Sequence, residues 1–376
     1  MHYVNKALPD SLSLLDEFAA MDESFPALTS LDLYCSVNDI NVPVLPDSFL
    51  GGSAPRLRSL VLIGIPYPSI GKLLSSTTNL VWLSLSNIPH SGYIAPETIV
   101  PCLSMLPKLE TLQLGFEYPR SRDDRASRHP PPLTRAVFPT LSRLSFYGDM
   151  EYLEDILSQI ETPTLNRTTF NFFNQLVFDT PFLGHFIRRT ETFMTIHGAR
   201  VECLDSAIRI RLSEESEREE MVANDRHWHV LWLQIYCKPL DWQLSALAQV
   251  LNSFLSSLPT LESLQIAVDR DDWRGEIEAI QWRELLHPFT AVKEVTLASE
   301  DLLRLVAPAL QDLAGERATE VLPALQDLFL RTGDWGPSGP VKEAIEQFIA
   351  VRQLCGHPVT VNYWDEESGE YMLKVR

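Results

Sequence analysis

The chain has 376 residues, 45% of them hydrophobic, and a formal net charge of −19. That length exceeds an ordinary compact domain and predicts either two domains or an elongated array that grows without thickening. So acidic a balance excludes nucleic acid as the main partner, a role that draws on a basic surface, and disfavours binding to anionic membranes.

The first residues, Met1 to Lys6, lead into Leu8-Pro9-Asp10 without a continuous apolar run, so no secretory signal is predicted and residues 1–24 read as a lead-in. No run of about 18 apolar residues follows anywhere, so no transmembrane helix is expected. The cysteines Cys35, Cys102, Cys203, Cys237 and Cys355 are odd in number and scattered. This fits reduced thiols and a cytoplasmic or nuclear protein.

From residue 25 a phrase of the form L-x-x-L-x-L recurs, often opened by proline. It runs Leu28-x-x-Leu31-x-Leu33, Leu57-x-x-Leu60-x-Leu62, Leu80-x-x-Leu83-x-Leu85, Leu109-x-x-Leu112-x-Leu114 and Leu141-x-x-Leu144-x-Phe146. It returns as Leu261-x-x-Leu264-x-Ile266, Val292-x-x-Val295-x-Leu297 and Leu325-x-x-Leu328-x-Leu330. Within each of these two groups successive copies are about 23 to 33 residues apart, at and above the leucine-rich-repeat range. Alternation in the last three positions is strand periodicity with the leucines facing a core. Helices are predicted behind the strands at 68–76, 97–105, 149–160, 243–258, 277–286 and 299–313, and from Pro340 to a stop at Gly356. The fold class is therefore α/β: a leucine-rich-repeat solenoid over 25–376, with parallel strands on a concave face and helices on a convex one.

The middle is less regular. Thr164 to Phe170 reads as a degenerate copy, and strands are expected at 193–197, 208–212 and 230–236, separated in the last case by the acidic run from Glu214 to Glu220. This region, near 193–236, reads as an insertion or hairpin.

Several longer segments carry a family likeness. Leu240 to Val250, Trp282 to Lys293, Glu320 to Gln326, and Ser338 through Val359 resemble fungal F-box-type leucine-rich-repeat proteins. That resemblance implies an N-terminal F-box docked on the adaptor of a cullin-type ubiquitin ligase, with the repeats holding the substrate, as in an SCF substrate receptor. Leu8 to Leu15 is similar to an F-box opening, but the first repeat begins near Phe25, which leaves too few residues for three helices. The expectation is an absent or truncated F-box, a protein partner or substrate, and a ligase adaptor only if an F-box exists elsewhere.

No catalytic signature emerges, and no cofactor or metal is expected. His227 and His229 would share one strand face, yet no further ligand stands at suitable spacing. Gly333 to Gly339 lacks the lysine and hydroxyl residue of a phosphate loop. The basic, proline-rich stretch Arg120 to Pro132 reads as an exposed loop. The chain is thus read as a non-enzymatic protein-interaction module. The alternatives are a stand-alone scaffold, or a hydrolase or metalloprotein using His227, His229 and Cys203 in the irregular middle. Residues between the strand leucines project onto the binding face. Among them the aromatic and arginine positions favoured by hot spots are Tyr34, Trp82, Tyr147, Phe329 and Arg331.

Overall fold

A computed structural model describes residues 23–35, 42, 44–119, 134–214, 229–237, 240–268, 279–312, 320–331, 339–365 and 370–375. The sequence features at 8–15, 120–132, 215–220, 227–228 and 333–338 lie outside them. Two compact units divide the chain, Met1–Phe173 and Asn174–Arg376.

In the first unit, β1 (Ser30–Tyr34), β2 (Ser59–Ile63), β3 (Trp82–Ile88), β4 (Thr111–Phe116), β6 (Arg143–Gly148) and β8 (Arg167–Phe172) lie side by side in chain order and in parallel. The short β5 (Ala136–Val137) and β7 (Ile160–Glu161) form a separate parallel pair. The register lines up equivalent repeat positions. Leu31, Leu60, Leu83, Leu112 and Leu144 make one row, and Leu33, Leu62, Leu85, Leu114, Phe146 and Phe170 make the next. Both rows are buried, as are Leu57, Leu80, Leu109, Leu141 and Leu165, the opening residues of their phrases. Full burial of one such side chain contributes roughly 1.5–3 kcal/mol, so the rows account for much of the adhesion between repeats. Helices α1 (Ile70–Leu74), α2 (Pro96–Ser104) and α3 (Met150–Gln159) pack successively against one another. Pro96 opens α2 at a position whose N–H would have no helical acceptor in any case.

Two backbone devices recur and show why the phrase has its form. The N–H of each opening leucine donates to the carbonyl three residues before it: Leu57 to Ala54, Leu80 to Thr77, Leu109 to Leu106 and Leu141 to Phe138. This turn aims the chain into its strand. One carbonyl then accepts two successive N–H groups from the following repeat. Thr29 receives Arg58 and Ser59, Arg58 receives Val81 and Trp82, Val81 receives Glu110 and Thr111, and Glu110 receives Ser142 and Arg143. Where the phrase is preceded by Pro-Thr, the hydroxyl joins in. Thr140 Oγ1 donates to the carbonyls of Pro107 and Leu109, and Thr164 Oγ1 to those of Pro139 and Leu141.

The second unit mixes strand directions. Parallel strands run β9 (Gly198–Cys203), β12 (Ser263–Val268), β13 (Glu294–Leu297), β14 (Asp327–Leu330) and β15 (Thr360–Asp365). At one end β9 continues into an antiparallel meander with β10 (Ala207–Ser213) and β11 (His229–Tyr236). At the other, β16 (Glu370–Val375) pairs antiparallel with β15. The helices are α4 (Pro181–Arg189), α5 (Leu240–Asn252), α6 (Ala279–Leu286), α7 (Glu300–Asp312) and α8 (Pro340–Leu354), with α5 to α8 packed in sequence.

The strands expected at 208–212 and 230–236 are present with slightly longer bounds. The expected strand at 193–197 is instead a 3-10 turn, Glu191–Thr195, followed by β9. The apolar residues there serve a turn: Phe193 is buried and meets Phe186 of α4 edge-on at 6.2 Å. The same devices then make β9 a repeat in its own right. Thr260 Oγ1 donates to the carbonyls of Met194 and Ile196, and the His197 carbonyl receives the N–H groups of Glu262 and Ser263. The phrase is Ile196-x-x-Ala199-x-Val201, with all three named residues fully buried.

Candidate functional site

Strand parity gives each sheet a face opposite the leucine rows. In the first unit it carries mostly short polar residues, half-buried between neighbouring strands. Ser84 Oγ donates to Gln113 Oε1 at 3.2 Å and lies 3.2 Å from Ser86 Oγ. Trp82, Thr111 and Arg143 share a row, and the Arg143 guanidinium reaches over Thr111 to lie 5.1 Å from the Trp82 ring centroid. In the row containing Tyr147, Gly115 supplies clearance, since a Cβ there would stand 3.3 Å from that of Tyr147. Tyr147 meets Phe173 edge-on at 4.8 Å.

The five residues singled out from the sequence are distributed over both units. Tyr34 and Trp82 are exposed at 41% and 36%, Tyr147 is half-buried, and Arg331 is exposed. Phe329 is only 3% exposed, which removes it from the set of exposed anchors. Its position in β14 is on the non-leucine face as parity requires, between Thr296 and Asn362. Parity assigns a face; whether that face is open is decided elsewhere.

The densest chemistry is on the same face of the second unit, at the meander, where the sequence offered only the alternative site of His227, His229 and Cys203. Arg200 and Glu202 of β9 stand opposite Arg211 and Arg209 of β10, which in turn face Trp232 and Gln234 of β11. Three guanidinium groups converge on one carboxylate. Arg200 Nε and Arg209 Nη1 donate to Glu202 at 2.9 and 3.2 Å, and Arg211 Nη2 donates to its Oε1. Arg209 Nε also donates to Gln234 Oε1 at 2.9 Å, and Arg200 Nη1 to Gln265 Oε1 at 3.1 Å. The Trp232 ring lies beneath two of the cations, with Arg209 at 4.1 Å and Arg211 at 5.5 Å from its centroid. Glu202 forms the buried floor, while the arginine side chains keep 29, 20 and 17% of their surface for residues 200, 209 and 211. The one sequence signal for this cluster is the strict alternation Ile208-Arg209-Ile210-Arg211-Leu212, which puts both cations on one face.

His229 opens β11 and packs 5.1 Å from Trp232, ring to ring. Among the described residues no group of three His, Cys, Asp or Glu side chains is placed to hold a metal ion. Burial pushes the thiols of Cys203 and Cys237 up to about 12, which keeps them protonated and poor nucleophiles at neutral pH. None of the five cysteines is in a disulfide, and no helix among the described residues is long and apolar enough to cross a membrane.

The in-register leucine rows, the opening turn and the doubly accepting carbonyl together define a leucine-rich-repeat architecture with a large, mostly parallel sheet in each unit. No family model matches the chain, and no curated protein does. Among solved structures, the leucine-rich repeat-containing protein LegL7 from Legionella pneumophila is similar over 91% of this chain and 95% of that one, at 15% identity and a TM-score of 0.31. So slight a likeness decides nothing about function.

Proposed function

We propose that this protein is a non-enzymatic repeat scaffold that binds another protein through the sheet faces opposite its leucine rows. The observation that carries the reading is the row Trp82-Thr111-Arg143. It presents an exposed indole braced by a guanidinium on a backbone ladder that burial of the leucines holds rigid. Tryptophan and arginine on a rigid surface lose little entropy when a partner docks, which is why hot spots favour them. A reducing compartment, cytoplasm or nucleus, belongs to the proposal and draws support from the scattered cysteines.

The more specific form is a substrate receptor of a cullin-type ligase of the fungal F-box kind, and its support is the resemblance of the segments after residue 240. Co-purification with a ligase adaptor and cullin is the expected result. Other partners recovered without them would leave the stand-alone scaffold.

The scaffold reading is tested by identifying a partner by cross-linking and comparing Trp82→Ala and Arg143→Ala with the unaltered protein. At least a tenfold loss of affinity is expected at an unchanged far-UV spectrum and nearly unchanged melting temperature. Affinity untouched by both changes would remove this face from the binding surface.

A further inference from the structure

Resting on that scaffold reading, we propose that Arg143, laid over Trp82, receives a single carboxylate carried by a short, otherwise uncharged segment of the partner protein. The state of the cation is the first ground. Arg143 is exposed, and among the described residues its guanidinium forms no hydrogen bond and no ion pair. Its contact is with the Trp82 ring, 5.1 Å from the centroid. Its five N–H donors are open to an arriving acceptor, in a fork that matches a carboxylate. The indole fixes the guanidinium plane, so little side-chain freedom remains to be lost on binding. Thr111 stands between them in register, 6% exposed, with its Oγ1 buried and without a hydrogen-bond partner. A hydroxyl in that state gains more from a new acceptor than a solvated one, because its desolvation has already been met.

The charge around Arg143 is the second ground. On this face the six strands of the first unit carry one acidic side chain, Asp32, in a chain with 50 acidic residues. Asp32 lies four strands from Arg143, about 19 Å at the usual strand spacing and more than two screening lengths of ~8 Å. Glu110, at the entry to β4, makes no ion pair with Arg143. The cation is thus unmatched on its own sheet, and an acidic residue of a partner is its complement.

The neighbouring row sets the rest of the segment. Ser84, Gln113, Ser145 and Thr169 stand there in register, all uncharged hydrogen-bonding groups. The hydroxyls of Ser145 and Thr169 make no hydrogen bond among the described residues. The four strands span about 14 Å, the length of about four extended residues. Such a row pairs with backbone and hydroxyl groups and offers nothing to a second charge. A phosphate dianion draws on more than one cation, and Arg167, beside Arg143 in its row, is already engaged.

The test screens the full chain against an array of hexapeptides that place Asp, Glu, Asn, Gln or phosphoserine among glycine, alanine and serine. Affinities of the strongest binders are then measured by fluorescence anisotropy. The expected binders carry one Asp or Glu, and its replacement by the amide should weaken binding about tenfold. In Arg143→Gln that preference for acid over amide should vanish, while Arg143→Lys, a charge without the fork, should keep part of it. Arg304→Gln on α7, which removes the same charge from the other unit, should leave it intact. No peptide bound above background, uncharged binders, or a preference that survives in Arg143→Gln overturns the proposal. Binders with several acidic residues or with phosphoserine also overturn it, in favour of a polyanion or phosphate site. A cross-linked partner released by Trp82→Ala and Arg143→Ala, with no acid preference among the peptides, keeps the scaffold reading and sinks this one. A partner retained by both variants fails the scaffold reading at this face.

Discussion

Removing the carboxylate at the bottom of the meander should cost far more than a surface ion pair. In Glu202→Gln the side chain keeps its size, yet three guanidinium groups lose their common anion at a position 9% exposed. Breaking a buried charge pair from one side typically costs about 3–5 kcal/mol, against about 0–1 for an exposed pair. The arginines retain between 17 and 29% of their surface and can draw in water. That places the expected loss at the lower end, about 3 kcal/mol. The loss should be local first, so urea-dependent hydrogen exchange of peptides from β9 to β11 is the suitable assay. Salt should partly restore the variant, since mobile anions screen the unbalanced cations. A loss below about 1 kcal/mol, or one insensitive to salt, would refute the view that Glu202 holds the cluster together.

Phe146 is 2% exposed and ringed by Phe116, Tyr152 and Phe172 at 6.3, 5.8 and 6.5 Å, so Phe146→Ala should destabilise the first unit by about 3–5 kcal/mol in chemical denaturation. Alanine ordinarily stabilises a helix relative to glycine by about 1 kcal/mol. Gly184→Ala in α4 should do the reverse, lowering the melting temperature, because its Cβ would stand 2.4 Å from the Ser253 carbonyl oxygen. Cys203 and Cys237 should react last with a thiol reagent at pH 8, and exposed Cys355 ahead of them. Their folded-state values near 12 lie above an ordinary value of 9, so unfolded chains ionise first and stability falls between pH 9 and 12. Replacing both by alanine should flatten that alkaline slope.

The first unit was largely legible because each of its first five repeats places leucine or another large apolar residue at the positions that stack. The β9 repeat escaped for a physical reason. Its strand offers Ala199 where leucine is usual, and its identity lies in the His197 carbonyl, which accepts two N–H groups, and in the Thr260 hydroxyl, which donates to carbonyls 64 and 66 residues away. Helix α4 escaped because it is only nine residues long and carries Gly184, a poor helix former kept for its close approach to Ser253. Of the candidate site, periodicity recovered the face of Trp82 and Tyr147. It could not report that Phe329 is covered, nor that Glu202 gathers arginines from two strands, since both depend on pairings remote in sequence.

The meander also sets the order in which the second unit can assemble. In the first unit a strand waits for a neighbour about 29 residues on, as between Ser84 and Gln113. Before β12 can settle beside β9, the chain must travel out through β10 and β11 and return along α5, a span of 65 residues between Arg200 and Gln265. Gln243 of α5 secures that return, its Nε2 donating to the carbonyls of Leu204 and Cys237 at 3.0 and 2.7 Å. Closing a loop of twice the length adds only about 0.6 kcal/mol of entropy, a small thermodynamic toll. In time it counts for more, because non-local pairing slows folding and leaves the apolar edge of β9 open meanwhile. During synthesis, then, the N-terminal repeats can close one after another as they emerge. Those beyond β9 must wait for α5, and that interval is when the nascent chain is most exposed to aggregation.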